Sequence, residues 1–261
     1  MDRLLRKTRF QAKGKGLCGT RAAAPRLRHL IPIRTGNEDI HQPGYLEADS
    51  VAHCGNSLAG NFVWSLTFTD VYSQWTENRA IWNKGAEEVL GRVKEVEKTL
   101  PFILRGFDVD NGSEFLTFHL WRYFLHRPVP VDLRRSRPYK KNDQAYVEEK
   151  NWTHVRQLLG YERIEKPEAV VLMNDLYRTW GQLHNFFLPT LKLKSKKRYG
   201  GRLIRKYDRP LTPCQRLLKS RHLTPEQKKV LQNQLEILNP IELKNRLEEQ
   251  LKELYKVICP R

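Results

Sequence analysis

The stretch Phe107-Asp108-Val109-Asp110-Asn111-Gly112-Ser113-Glu114-Phe115 holds the residues best suited to chemistry. An apolar run, Phe102-Ile103-Leu104, leads into it, and two aspartates and an Asn-Gly pair follow. Glycine accepts positive φ at no steric cost, so Asn-Gly marks a tight turn. Ser113 is placed to cap a helix that starts after it. The local reading is strand, carboxylate, turn, helix. It puts Asp110 at the carboxyl end of a strand, where open α/β sheets gather their working groups. Asp49, on an earlier strand, and Glu148, early in a later helix, are its expected companions. Carboxylates held close together repel, and a divalent cation removes that cost. Magnesium takes hard oxygen ligands and leaves positions for water or substrate phosphate. Two such ions can activate an attacking oxygen and stabilise a leaving one in displacement at phosphorus.

Other residues compete for these roles. Asp108 is expected to point to the sheet face opposite Asp110. Asp70 reads as a turn residue closing a hairpin. Glu149 is the rival to Glu148, about 100° round the same helix. His53 and Cys54 have no second Cys/His pair to complete a metal site, so a packing role at a strand end is expected. The four cysteines, Cys18, Cys54, Cys214 and Cys259, form no Cys-x-x-Cys pair, so neither a structural zinc site nor a disulfide framework is expected.

The elements that must position the acids follow from patterning. Tyr45 to Ala52 reads as a first strand, Asn61 to Thr69 as a second and Trp75 to Trp82 as a third, an antiparallel meander. Gly85 to Leu100 has Val89, Val93 and Val96 at helical spacing. Phe102 to Val109 is a fourth strand, Glu114 to His126 a helix and Pro128 to Leu133 a short fifth strand. Gln144 to Leu159 and Ala169 to Phe187 are further helices. This order predicts a ribonuclease-H-like mixed five-stranded α/β sheet with flanking helices. Three regions result: a basic N-terminal arm over 1–40, a catalytic core over 41–190, and a basic linker with a helical C-terminal region over 191–261.

Charge sets the class of partner. The 261 residues carry 47 Lys and Arg against 29 Asp and Glu, a net charge of +18. Such a chain most often meets nucleic acid. No apolar run approaches the ~20 residues that span a bilayer, and the amino end lacks the apolar core of a signal peptide, so a cytoplasmic protein is expected. Arginines and lysines between Arg3 and Arg34 suit a phosphate backbone. A second basic stretch, with Lys196, Lys197 and Arg198 beside Tyr199, suits phosphate contacts.

Three segments carry a resemblance: Glu47-Ala48-Asp49-Ser50-Val51-Ala52-His53-Cys54-Gly55, Asp110-Asn111-Gly112-Ser113-Glu114-Phe115, and Ser136-Arg137-Pro138-Tyr139 on through Asn142-Asp143-Gln144-Ala145 to Glu148-Glu149-Lys150-Asn151. Together they resemble the integrase catalytic core of bacterial insertion-sequence transposases of the DDE type, most nearly the ISNCY group. The resemblance extends over nearly the whole chain, through Asn185-Phe186-Phe187 to Leu238-Asn239-Pro240. It implies Asp49, Asp110 and Glu148 as a triad holding Mg2+ or Mn2+, and selects Glu148 over Glu149. It implies metal-dependent cleavage and strand transfer at the ends of a mobile element, with DNA as partner and a homo-oligomer holding two ends. Arg137, Lys140, Lys141 and Lys150, beside the third acid, are then expected on DNA phosphates, with the nucleoid as the site of action. Longer relatives carry a helix-turn-helix region before this core, and Met1-Asp2-Arg3-Leu4-Leu5-Arg6 looks like its tail. The alternative expectation is therefore a truncated, inactive DNA-binding remnant that inhibits a full-length relative.

Near the carboxyl end, Thr224-Pro225-Glu226-Gln227 signals a helix start. Leu247, Leu251 and Leu254 line one face of a last helix. That stripe is expected either to fold back on the core or to pair with a second protomer.

Overall fold

The computed structural model describes residues 27, 29–34, 40–137 and 144–258. Its main sheet has five strands: β1 (Tyr45–Ala52), β2 (Val63–Asp70), β3 (Thr76–Trp82), β4 (Gly106–Val109) and β5 (Asp132–Arg135), in the spatial order β3-β2-β1-β4-β5. β1 pairs antiparallel with β2 and parallel with β4, and β4 pairs parallel with β5. Helices α1 (Ala86–Thr99) and α2 (Phe118–Leu125) make the crossovers around β4. This is the ribonuclease-H-like arrangement that the element order predicts.

The two sheet faces differ in chemistry. One is apolar: Leu46, Ala48, Leu66, Phe68, Phe107 and Val109 pack under α1 and α2. The other is built in polar rows. Cross-strand register sets Thr76, Thr69, Glu47, Asp108 and Arg134 side by side across all five strands. The next row up holds Asn78, Thr67 and Asp49. Threonine suits both demands here, because its branched Cβ fits a strand while its hydroxyl hydrogen-bonds. Asn78 Nδ2 donates to Thr67 Oγ1 at 2.8 Å, and the Thr69 and Thr76 hydroxyls lie 3.3 Å apart.

Several boundaries move, each for a local reason. β5 starts at Asp132 rather than Pro128, since Pro128 and Pro130 have no N–H to give a parallel ladder. α2 starts at Phe118, capped by Thr117, whose side chain accepts from Leu120 N. Ser113 is therefore not the cap. The expected helix Gln144 to Leu159 is three pieces: α3 (Ala145–Lys150), a π-helical turn (Asn151–Arg156) and α4 (Gln157–Leu159). The long α5 (Ala169–Phe187) crosses the polar face, where Asn185 bridges the backbone of Thr76 at 2.9 Å through both amide atoms. The basic stretch after it is a two-stranded hairpin, β6 (Leu193–Tyr199) and β7 (Arg202–Tyr207). Helices α6 (Pro213–Lys219), α7 (Pro225–Ile237) and α8 (Pro240–Ile258) follow among the described residues.

The leucine stripe folds back. Leu243, Leu247 and Leu254 of α8 are buried against α5 residues such as Met173 and Tyr177. At the other end, Leu27 and Ile31 are buried in the core cluster, so the core draws on residues that a boundary at 41 leaves out. Ile33 bridges Arg135 in parallel, and Arg135 N donates to Pro32 O at 3.0 Å. This short segment therefore runs along the outer edge of β5. Among the described residues, no helix is long and apolar enough to cross a membrane.

Candidate active site

Parallel pairing sets Ala48 beside Val109, so Asp49 and Asp110 occupy the next rung of two neighbouring strands. Asp108 lies two residues before Asp110. Side chains alternate with a period of two, so both belong to the same face. The expectation that they point apart is thereby corrected. What separates them is environment. Asp108 is buried and ion-paired, 2.9 Å from Arg134 Nε and 3.3 Å from Arg34 Nη1. Asp110 stays partly accessible, and its Oδ1 accepts from Gly112 N at 2.7 Å.

The row beneath the acids anchors the helix that carries Glu148. Glu47 is buried, and its Oε1 accepts from Arg34 Nη1 at 3.0 Å. Its Oε2 accepts from the backbone N–H groups of Tyr146 and Val147, at 3.1 and 3.2 Å. These are orphan donors of the first turn of α3, and a carboxylate there also meets the positive end of the helix dipole. Gln144 Nε2 reaches Asp108 O at 3.3 Å and Ala48 O at 3.4 Å. Val147 is fully buried, so Glu148, the next residue, is held at the exposed rim. Three residues further, Asn151 Nδ2 donates to Asp49 Oδ2 at 2.6 Å. Asn151 opens the π-helical turn, a feature often found at functional positions.

Electrostatics ties the acids together. Burial raises the Asp49 carboxyl to about 6; the Ser50 N–H opposes this, and the charges of Asp110, Glu114 and Glu148 add to it. Burial likewise lifts Glu47 to about 7 in spite of Arg34.

Glu114 was missed as a site residue. Its side chain is buried, with Oε1 accepting from Ser50 Oγ at 2.6 Å and Oε2 lying 3.5 Å from Lys84 Nζ. A Cβ on Gly112 would lie 2.6 Å from Asp110 Oδ1 and 2.8 Å from both Glu114 oxygens. The glycine is needed because two carboxylates close over it. Asn-Gly-Ser-Glu carries the signal, but by pattern alone its acid reads as the start of a helix.

The expected DNA contacts divide. Lys150 is corrected: it is 4% exposed, three residues on from buried Val147 and on the same inner helix face, with Nζ 4.0 Å from Glu149 Oε1. Burial lowers its pKa. It faces the buried His154 and His184 rather than an outside phosphate. Arg137 is half-buried just past β5, while Lys196, Lys197 and Arg198 are exposed on the hairpin. Lys140 and Lys141 lie outside the described residues. His53 is buried at the strand end, its Nε2 2.7 Å from Ser65 Oγ, which is 2.5 Å from Tyr177 OH. Asp70 closes its turn by accepting from the N–H groups of Gly44 and Ser73.

Among the described residues, no three His, Cys, Asp or Glu side chains are grouped closely enough to hold a metal as they stand. The donor set nevertheless suits a hard divalent cation. It is all carboxylate, one member is raised by burial and then by its like-charged neighbours, and a glycine keeps the floor of the cradle open.

Sheet order and polar rows define the class: a ribonuclease-H-like α/β domain with one acid on its central strand β1 and another just past the end of the neighbouring β4. No protein-family model matches the chain. The uncharacterized protein y4rM of Sinorhizobium fredii is 36% identical over 217 residues, 83% of this chain; the chain spans 61% of that relative's length. Among solved structures, the catalytic core domain of BIV integrase is similar at 16% identity and a TM-score of 0.35, over 45% of this chain and 70% of that one. The fold assignment rests on the strand order itself.

Proposed function

We propose that the chain is a DDE-type DNA strand transferase, cutting and rejoining DNA with Mg2+ or Mn2+ held by Asp49, Asp110 and Glu148. The observation that carries this reading is the position of Asp49 and Asp110 one rung past the paired Ala48 and Val109 of neighbouring strands, with the Asp49 carboxyl lifted to about 6 by burial and then by the charges of Asp110, Glu114 and Glu148. Such repulsion is a stability cost that a bound divalent cation converts into affinity. When bound, the metal supplies Lewis-acid stabilisation of a phosphoryl oxygen and an activated attacking oxygen.

The chain's own residues do the rest. Asp49 offers oxygens from within β1 and Asp110 from just past the end of β4, and Asn151 orients Asp49 through its 2.6 Å hydrogen bond. Glu47, a positioning residue, fixes the first turn of α3 and with it Glu148. Lys84 beside Glu114 adds a cation at the rim where a phosphate would enter. The net charge of +18 favours a polyanionic substrate.

The test needs no knowledge of element ends. Wild-type protein should bind Mn2+ and nick supercoiled plasmid in its presence. Asp110→Asn should lose both while still binding plasmid. Equal nicking by the two proteins would refute the assignment of Asp110. Plasmid binding without Mn2+ binding or nicking in the wild type would favour the inactive-remnant reading.

A further inference from the structure

The hairpin β6–β7 is built unlike the rest of the fold. From Leu191 to Tyr207 the chain has no acidic residue. Every residue of β7 is exposed, and all of β6 but Ser195. Tyr199 is 62% exposed and Tyr207 48%. A lone two-stranded hairpin is marginally stable in water, and here no core lies behind its strands.

Its base, by contrast, is tied down. Lys192 N donates to Asp208 Oδ1 at 2.7 Å, and Asp208 N returns to Lys192 O at 2.9 Å. Asp208 also pairs with Arg216 at 3.1 Å, a cation buried in α6. Lys192 Nζ reaches across to Tyr72 O at 3.1 Å. The seven residues of β6 thus project as an arm of about 23 Å from a fixed root.

The register assigns each side chain to a face. Lys197 stands opposite Ile204, Tyr199 opposite Arg202, and Ser195 opposite Lys206. Lys196 opposes Arg205, and Arg198 opposes Leu203, on the other face. Among the paired residues each face therefore carries three cations, Lys197, Arg202 and Lys206 on one and Lys196, Arg198 and Arg205 on the other, while exposed Lys194 lies at the register shift near the root. An arm lying flat along a single phosphate backbone would use one cationic face and leave the other in solvent. Cations on both faces match a site with phosphates on both sides. The walls of a DNA groove are such a site. With side chains on both faces a ribbon is about 10 Å thick, which suits the major groove at about 12 Å and not the minor groove at about 6 Å.

We infer that the β6–β7 hairpin is a DNA-binding arm that enters the major groove on edge or tip first, each cationic face meeting one phosphate wall. Tyr199 and the Gly200-Gly201 turn lead at the tip, where the aromatic ring can reach base edges. This inference rests on the reading of the chain as a DNA-acting protein and adds the mode of contact.

The experiment uses the 261-residue Asp110→Asn protein, to prevent cleavage, and a 30-base-pair duplex. Two triple variants are compared with this parent by fluorescence anisotropy across a salt series: Lys197→Gln/Arg202→Gln/Lys206→Gln and Lys196→Gln/Arg198→Gln/Arg205→Gln. All six side chains are on an exposed hairpin, and unchanged thermal melts would verify folding. Each neutralised phosphate contact is worth about 0.9 in the log-log salt slope. Both triples should therefore flatten the slope by about 2 to 3, and the parent should protect guanine N7 from dimethyl sulfate. A flattened slope in one triple alone, or protection of adenine N3 alone, would overturn groove entry while leaving DNA action intact. A parent with no duplex affinity would sink the DNA reading itself. Unchanged slopes in both triples, with binding to phosphatidylglycerol vesicles lost, would reassign the arm to a lipid surface.

Discussion

Asp49→Asn should stabilise the metal-free protein. Burial and three neighbouring acids raise the Asp49 carboxyl from 3.8 to about 6. At about 1.4 kcal/mol per pH unit, the folded state disfavours the ionised form by about 3 kcal/mol relative to the unfolded chain. A raised carboxyl favours the folded state fully below pH 4, and that advantage is lost as pH climbs from about 4 to 6. The amide variant carries no charge to desolvate. It keeps an acceptor for Ser50 N, now 2.7 Å from Asp49 Oδ1. Its new NH2 would face the Asn151 NH2, but Asn151 Oδ1 is buried and without a partner among the described residues, so a flip of that amide restores a hydrogen bond. After an allowance for this rearrangement, the net gain at pH 8 in EDTA is about 2 kcal/mol, or about 6 °C in melting temperature. Thermal melts at pH 8 and pH 4, with EDTA or with saturating Mn2+, measure it. The gain should vanish at pH 4. In Mn2+ the wild type should rise through ligand linkage while the variant stays put. A variant less stable than wild type at pH 8 in EDTA, or equally favoured at pH 4, would refute the repulsion argument.

Further outcomes are expected. Gly112→Ala should push the Asp110 and Glu114 carboxylates apart, since its Cβ would lie within 2.8 Å of both; Mn2+ titration should show weakened binding with circular dichroism unchanged. Leu254→Ala, in a fully buried contact of α8 with α5, should cost about 2 to 5 kcal/mol in denaturant unfolding, with the mass by light scattering unchanged. Lys150→Met should leave the salt slope of DNA binding unaltered, because that ammonium is enclosed. Burial lowers His53 and His184 to about 3. The unfolded chain therefore binds protons that the folded one refuses between pH 6.5 and about 3, and stability should fall on acidification across that window. His184→Gln should flatten the fall, read from melts against pH.

Legibility followed from periodicity and failed where several elements meet. The place of Asp110 just past a strand could be read because an apolar run before Asn-Gly is a local signal, and the strand that carries Asp49 could be read from its own pattern. The sheet order followed from the alternation of strands and helices. Asp108 was misplaced by a parity error that the period-two rule itself corrects. Lys150 sits three residues after Val147 on one helix face, a spacing that foretells burial, but its charge drew attention outward. Tyr199-Gly200-Gly201-Arg202 is a hairpin signal that the surrounding charge obscured. The roles of Glu47 and Arg34 could not be read locally, because their partners come from other strands and from the first turn of α3. The π-helical turn had no signal that periodicity could separate from an α-helix.

The contact of Ile33 with Arg135 has a practical consequence. β5 is the outer strand of the sheet, and its free side would otherwise offer unpaired N–H and C=O groups to any passing strand. The segment from Pro32 to Arg34 closes part of that side, and Arg34 in the same stroke brings a cation to Glu47 and Asp108. A version of the protein trimmed to begin at residue 41 would lose both at once. It would have an open, adhesive edge, and directly beneath the acids of the site Glu47 would lose the countercharge of Arg34 while Asp108 kept that of Arg134. Self-association and a softened site should then appear together, from one deletion that removes none of the proposed metal ligands.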